Sequence, residues 1–127
     1  MSGQTVVLVG GSAGIGLATA RRVRAEGAEV VLTGRDPNRL AAAAAEVDAQ
    51  RTAAFDATDT AALARFFHEL PAPIDHVLVT AGGPRYRPML DMGPEDIREA
   101  LSGHAVLGLE VAPATLGRGC GPAAAWC

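Results

Sequence analysis

Lysine is missing from this chain of 127 residues, whose 11 basic side chains are all arginine. That excludes a P-loop nucleotide hydrolase, whose phosphate loop depends on a lysine ammonium. Cysteine is almost as scarce: Cys120 and Cys127 both fall in the closing stretch, so no disulfide framework supports the main body. Tyr86 is the one tyrosine of the chain. His68, His76 and His104 stand far apart, without the spacing of a metal site. No apolar run approaches the length of a membrane span, and no charged-then-apolar leader opens the chain. With a net charge of −3 and a pI near 5.5, no global field favours nucleic acid. The arginines at Arg21, Arg22 and Arg24 read as a solvated helix face. The expectation is a soluble, cytoplasmic protein that contacts neither nucleic acid nor membrane.

What is present is apolar and regular. Hydrophobic residues make up 49% of the chain, which excludes disorder throughout, and the length fits one domain while being short for a complete α/β enzyme. The informative stretch is Val7-Leu8-Val9-Gly10-Gly11-Ser12-Ala13-Gly14-Ile15-Gly16-Leu17. An apolar, β-branched run stops at a glycine, two more glycines follow, and the apolar period then changes from strand-like to helix-like. In such a turn Gly10 permits the sharp reversal, Gly14 a close approach by phosphate, and Gly16 tight packing of helix on sheet. The helix that starts there offers unpaired N–H groups and a positive dipole end. A ligand-free strand-to-helix turn would show the same glycines, so the context matters.

That context is an unbroken alternation of strand and helix. Strands are predicted over 5–9, 29–33, 50–55 and 76–80. A first helix carries Ile15, Ala18, Thr19 and Val23 inward and ends at Gly27. A second is capped by Asp36, with Pro37 in its first turn and Leu40, Ala43, Ala44 and Val47 inward. A third begins at Thr58-Asp59, buries Leu63, Phe66, Phe67 and Leu70, and closes at Pro71 and Pro73. After Ala81-Gly82-Gly83 and a proline- and arginine-rich loop, Pro94 opens a fourth, with Ile97, Leu101, His104 and Gly108 on one face. Alternation of this kind gives an α/β fold with a parallel sheet and right-handed crossovers. The regular pattern ends near Ala112. From Pro113 onward no period is legible, and residues 113–127 are expected to form a disordered tail.

Over residues 4 to about 112 the chain resembles the short-chain dehydrogenase/reductase family. The glycine turn matches that family's motif, with Val9 in place of the usual threonine. The resemblance implies a Rossmann-like parallel sheet in the strand order 3-2-1-4 with flanking helices. It also implies a dinucleotide cofactor at Gly10, Ser12, Ala13, Gly14, Ile15 and Gly16. Arg35 lies where NADP-preferring members carry a base, and a guanidinium there suits a ribose 2′-phosphate, so NADP is favoured over NAD. Asp36 is one residue late for the acid of an NAD enzyme. Asp56-Ala57 falls where the family hydrogen-bonds the adenine amino group, although a strand-ending aspartate in a turn reads the same way. Thr80-Ala81-Gly82-Gly83 is similar to the family's Asn-Ala-Gly segment beneath the cofactor, with Thr80 replacing the asparagine.

The family transfers hydride between nicotinamide and a carbonyl or alcohol, using a serine, a tyrosine, and a lysine four residues after it. None has a counterpart here. Tyr86 lies far upstream of the catalytic position and reads as an amphipathic loop residue. His104 occupies roughly the place of the family's helix asparagine, as a substitute relay or as a structural histidine. The implied reading is the NADP-binding portion of an oxidoreductase, truncated after the fourth helix by a shifted reading frame or false gene end, and inactive by itself. Its fourth strand would be an open edge, giving weak NADP(H) binding and poor solubility. The alternative is a non-catalytic nucleotide-sensing module acting through a partner. Arg35 disfavours a methyltransferase, which places an acid there. Neither substrate nor oligomeric state is legible.

Overall fold

The computed structural model describes residues 1–71, 73–82 and 87–116. Four parallel strands, β1 (Thr5–Val9), β2 (Glu29–Gly34), β3 (Arg51–Ala54) and β4 (His76–Val79), pair in the order β3-β2-β1-β4. The expected architecture is therefore the one observed. In register, Val7 of β1 sits between Val31 of β2 and Val77 of β4. Both inner strands are almost wholly buried, as near-continuous apolar strands covered on two faces must be.

Strand alternation sorts the core into two layers. Val6, Leu8, Val30 and Leu32 point to one face, covered by α1 (Gly14–Ala25) and α2 (Pro37–Val47) through Ala20, Val23, Leu40, Ala43 and Val47. Val7, Val9, Val31 and Val77 point to the other, covered by Leu63, Phe66 and Phe67 of α3 (Thr60–Glu69) and by Leu107 and Val111 near the end of the chain. The inner stripe of α1 differs from the expected one. Gly16, Ala20 and Val23 are the buried positions, while Ile15 is 75% exposed and lines the cleft described below.

Caps fix where the helices begin. Asp36 accepts from the N–H groups of Asn38 and Arg39 at 2.9 and 3.1 Å, with Pro37 in the first turn, so α2 starts where the sequence puts it. Asp59 caps α3 through the Ala62 N–H at 3.1 Å.

The last helix departs most from expectation. A 3-10 turn (Met89–Asp91) leads into α4 (Pro94–Leu101), a π turn (Ser102–Val106), and α5 (Leu107–Leu116). Ile97 and Leu101 are 50% and 57% exposed, and the buried positions are Leu107, Val111 and Thr115. A π turn holds more residues per turn than an α-helix, so it rotates the inward stripe that a uniform period would predict. Helical structure also continues past the expected boundary at Ala112, with Pro113 inside α5. Proline loses one backbone hydrogen bond there, but Val111 and Thr115 stay buried on either side of it, and the Thr115 hydroxyl reaches the Val111 and Ala112 carbonyls at 3.1 and 2.8 Å. The expected tail from residue 117, Gly83, Tyr86 and both cysteines lie outside the described residues. Among those described, no helix is long and apolar enough to cross a membrane.

Candidate functional site

Because the strands are parallel, all their carboxyl ends meet one edge of the sheet, and the connections that leave it enclose a cleft of about 390 Å³. The cleft opens where strand order reverses, between β1 and β4, the place at which open parallel sheets hold their ligands. Gly10, Ser12, Ala13, Gly14 and Ile15 line it from the glycine turn, Arg35 from the end of β2, Asp56 and Ala57 from the end of β3, and Ala81 and Gly82 from the end of β4. Gly16 does not line it. It lies beneath, where a Cβ would meet the Thr80 hydroxyl oxygen at 2.7 Å and the Gly11 Cα at 3.0 Å. Gly10 turns the chain at φ +97°, with a would-be Cβ 2.5 Å from the Ala81 nitrogen. Only glycine serves at either position.

The turn is tied to both neighbouring strands. The Gly11 N–H reaches the Thr33 carbonyl at 2.9 Å, the Gly10 N–H reaches the Thr33 hydroxyl at 3.3 Å, and the Thr80 hydroxyl donates to the Gly10 carbonyl at 3.0 Å. At the start of α1, Ala13 offers no side-chain cap, so the first-turn N–H groups are left for solvent or a ligand. Gly14, at φ +53°, has open space where a Cβ would stand. A cradle of free amides at a helix N-terminus, with no side chain filling it, fits a phosphate-bearing ligand.

Arg35 and Asp36 leave β2 in succession and do different things. Both line the cleft, and Asp36 also commits Oδ1 to the cap of α2. Asp56 accepts from both the N–H and the hydroxyl of Thr58, at 2.9 and 2.7 Å. The Thr58 N–H first, then its hydroxyl, and lastly the charge of Arg35 hold the Asp56 carboxyl below its ordinary pKa. It is a carboxylate at neutral pH.

Several lining residues escape a motif-based reading: Thr33, Gly34, Arg39, Phe55, Thr58 and Thr80. The spacing of Arg39 from Arg35 across the Asp-Pro cap was the available signal. His104 lies in the π turn, and its side chain is outside what the structure describes. Gly82 meets that same turn: at φ +87°, a methyl group added to it would run into the Gly103 carbonyl. Among the described residues, no group of His, Cys, Asp and Glu is placed to hold a metal.

Residues 4–106 match the family model of the short chain dehydrogenases. The chain belongs to this family of oxidoreductases with an NAD(P)-binding Rossmann fold. It is 34% identical over 110 residues to gluconate 5-dehydrogenase of Gluconobacter oxydans (strain 621H), covering 80% of this chain and 43% of that protein. It is 34% identical over 84 residues to 2-dehydro-3-deoxy-L-rhamnonate dehydrogenase (NAD(+)) of Sphingomonas sp. (strain SKA58), covering 64% of this chain and 34% of that one. Among solved structures, that of BdcA in complex with NADPH superposes with a TM-score of 0.83 at 25% identity, covering 93% of this chain and 48% of that one. The chain thus spans less than half the length of the curated relatives it matches.

Proposed function

We propose that these 127 residues form the coenzyme-holding part of a short-chain oxidoreductase, prefer NADP(H) to NAD(H), and do not transfer hydride on their own. The observation that carries the preference is the division of labour after β2. A guanidinium lines the cleft there, and the adjacent acid, which lines it too, has its Oδ1 taken up in a helix cap. Arginine meets a ribose 2′-phosphate in bidentate fashion, while an NAD site presents a free carboxylate to the 2′-hydroxyl. The pyrophosphate would rest on the glycine-turn amides at the start of α1, and Asp56 would accept from the adenine amino group. When bound, the coenzyme supplies or accepts the hydride.

Support for inactivity comes from composition. A phenol titrates near pH 10 and needs a neighbouring ammonium to act at neutral pH, and this sequence holds no lysine. Titration of nicotinamide fluorescence with NADPH and NADH tests the preference. NADPH should bind at least about tenfold more tightly, a difference of about 1.4 kcal/mol, and equal affinities would overturn it. Oxidation of bound NADPH by any aldehyde or ketone would overturn the inactivity.

A further inference from the structure

We propose that the outer edge of β4 is an interface for a second copy of this chain, paired antiparallel about a twofold axis through Leu78. The partner is the same sequence because this one edge supplies both halves of the contact. The pairing needs no coenzyme and stands whether or not the cleft holds one.

The ladders fix which backbone groups the edge presents. The Glu29 N–H reaches the Gln4 carbonyl at 2.8 Å, and the Thr80 N–H reaches the Val9 carbonyl at 2.8 Å. In the observed register β1 therefore bonds β2 through its even-numbered residues and β4 through its odd-numbered ones, which engages His76, Leu78 and Thr80 on the far side. Alternation turns the N–H and C=O of Val77 and Val79 outward, and among the described residues no strand pairs with them. About a twofold axis at Leu78, Val77 stands opposite Val79 of the second copy, and Val79 opposite its Val77. Each such pair exchanges both of its hydrogen bonds, so every outward group of one chain finds its complement on the other.

The flanks agree with such a seam. Leu78 is only partly buried, on the sheet face where α1 packs over β1 and β2. At the axis it lies across from its own copy, which takes apolar surface of both out of water. On the opposite face Leu107 and Val111 of α5 are buried with Val7, Val9 and Val77, and α5 packs beside α3, so that helix rests over β1 and β4. Nothing that blunts an exposed edge lies within His76–Val79, neither carboxylate, guanidinium nor proline. Asp75, just before it, is turned back onto the Thr5 N–H at 2.8 Å. The other edge differs: Arg51 stands exposed on β3, and Arg65 and Glu69 line a recess along it.

Sedimentation equilibrium of the full chain, from micromolar to near-millimolar concentration, tests the seam together with variants at Leu78. A short edge makes a small interface, so we expect a reversible dimer with Kd on the order of 100 μM. Two copies close the contact, and the mass should stop at the dimer. Leu78→Lys sets like charges opposite each other and should leave a monomer throughout. Leu78→Cys, in a background of Cys120→Ser and Cys127→Ser, should form an intermolecular disulfide with oxidised glutathione. The Cα atoms of a non-hydrogen-bonded antiparallel pair lie about 4.5 Å apart, within the span of a disulfide. Thr52→Cys on β3, in the same background, should not. A monomer at every concentration, growth beyond the dimer, or a dimer that Leu78→Cys does not lock overturns the seam, as does a disulfide at Thr52→Cys in its place. A folded Leu78→Lys chain that dimerises as wild type overturns it too. If circular dichroism shows that variant unfolded, the two cysteine variants decide.

Discussion

The Thr80 hydroxyl, just past the end of β4, donates to the Gly10 carbonyl at 3.0 Å. The backbone N–H groups of Thr80 and Ala81 both reach the Val9 carbonyl, at 2.8 and 2.9 Å. Together they pin the glycine turn to the strand on its far side. Thr80→Val keeps the shape and removes the donor, so it should cost about 1 kcal/mol of stability in urea titrations and weaken nucleotide binding. Thr80→Ser should restore both. A valine variant as stable as wild type would show that the hydroxyl does not hold the turn.

Two glycines of the turn should respond to alanine in different measure. At Gly16 the added methyl meets Thr80 Oγ1 at 2.7 Å with the glycine-turn backbone on its other side, and little there can yield. Gly16→Ala should therefore cost about 3 kcal/mol, the upper end of the usual range for overpacked cores. Gly14→Ala meets open space and pays only for its positive φ, about 1–2 kcal/mol. Denaturation midpoints of the two variants compare them directly, and a reversed ranking would contradict the packing described for α1.

The register of α5 is open to the same kind of test. Leu107 is 2% exposed and Leu101 57% exposed. Leu107→Ala should destabilise by about 2–5 kcal/mol, whereas Leu101→Ala should stay within about 0.5 kcal/mol. A uniform helical period through residue 108 predicts the opposite order.

That contrast shows where the sequence is legible. The strand–helix alternation, the glycine turn, the Asp36 cap and the apolar stripes of α2 and α3 follow from local patterns that tertiary contacts do not overrule, whereas the sheet order is implied by the family resemblance. The π turn follows from no local pattern. It changes the phase of the helix, so a uniform period puts Ile97 and Leu101 on the wrong face, and Pro113 reads as a stop because the burial of Val111 and Thr115 is a tertiary fact. Arg39 was hidden for the opposite reason. On a helix an arginine is an ordinary surface residue, and only the course of β2 into α2 brings it back over the sheet edge.

Acid should act on Asp56 late. Its folded-state pKa is depressed, chiefly by the Thr58 N–H, so it contributes stability above the unfolded carboxylate value of about 3.9 and loses it as pH falls through the folded value. Asp56→Asn should therefore leave the pH dependence of unfolding unchanged from neutral to about pH 5 and flatten it only below about pH 4. A difference in slope between the two proteins near neutrality would show that Asp56 is not ionised as described.

The abutment of Gly82 on Gly103 has one more consequence. A cleft-lining residue touches a stretch of the last helix whose hydrogen-bond ladder is already irregular, so pressure on one is felt by the other. Deuterium uptake along Ser102–Val106 should slow when a nucleotide seats itself, even though those amides stand outside the cleft lining. The π turn would then serve as an internal gauge of occupancy.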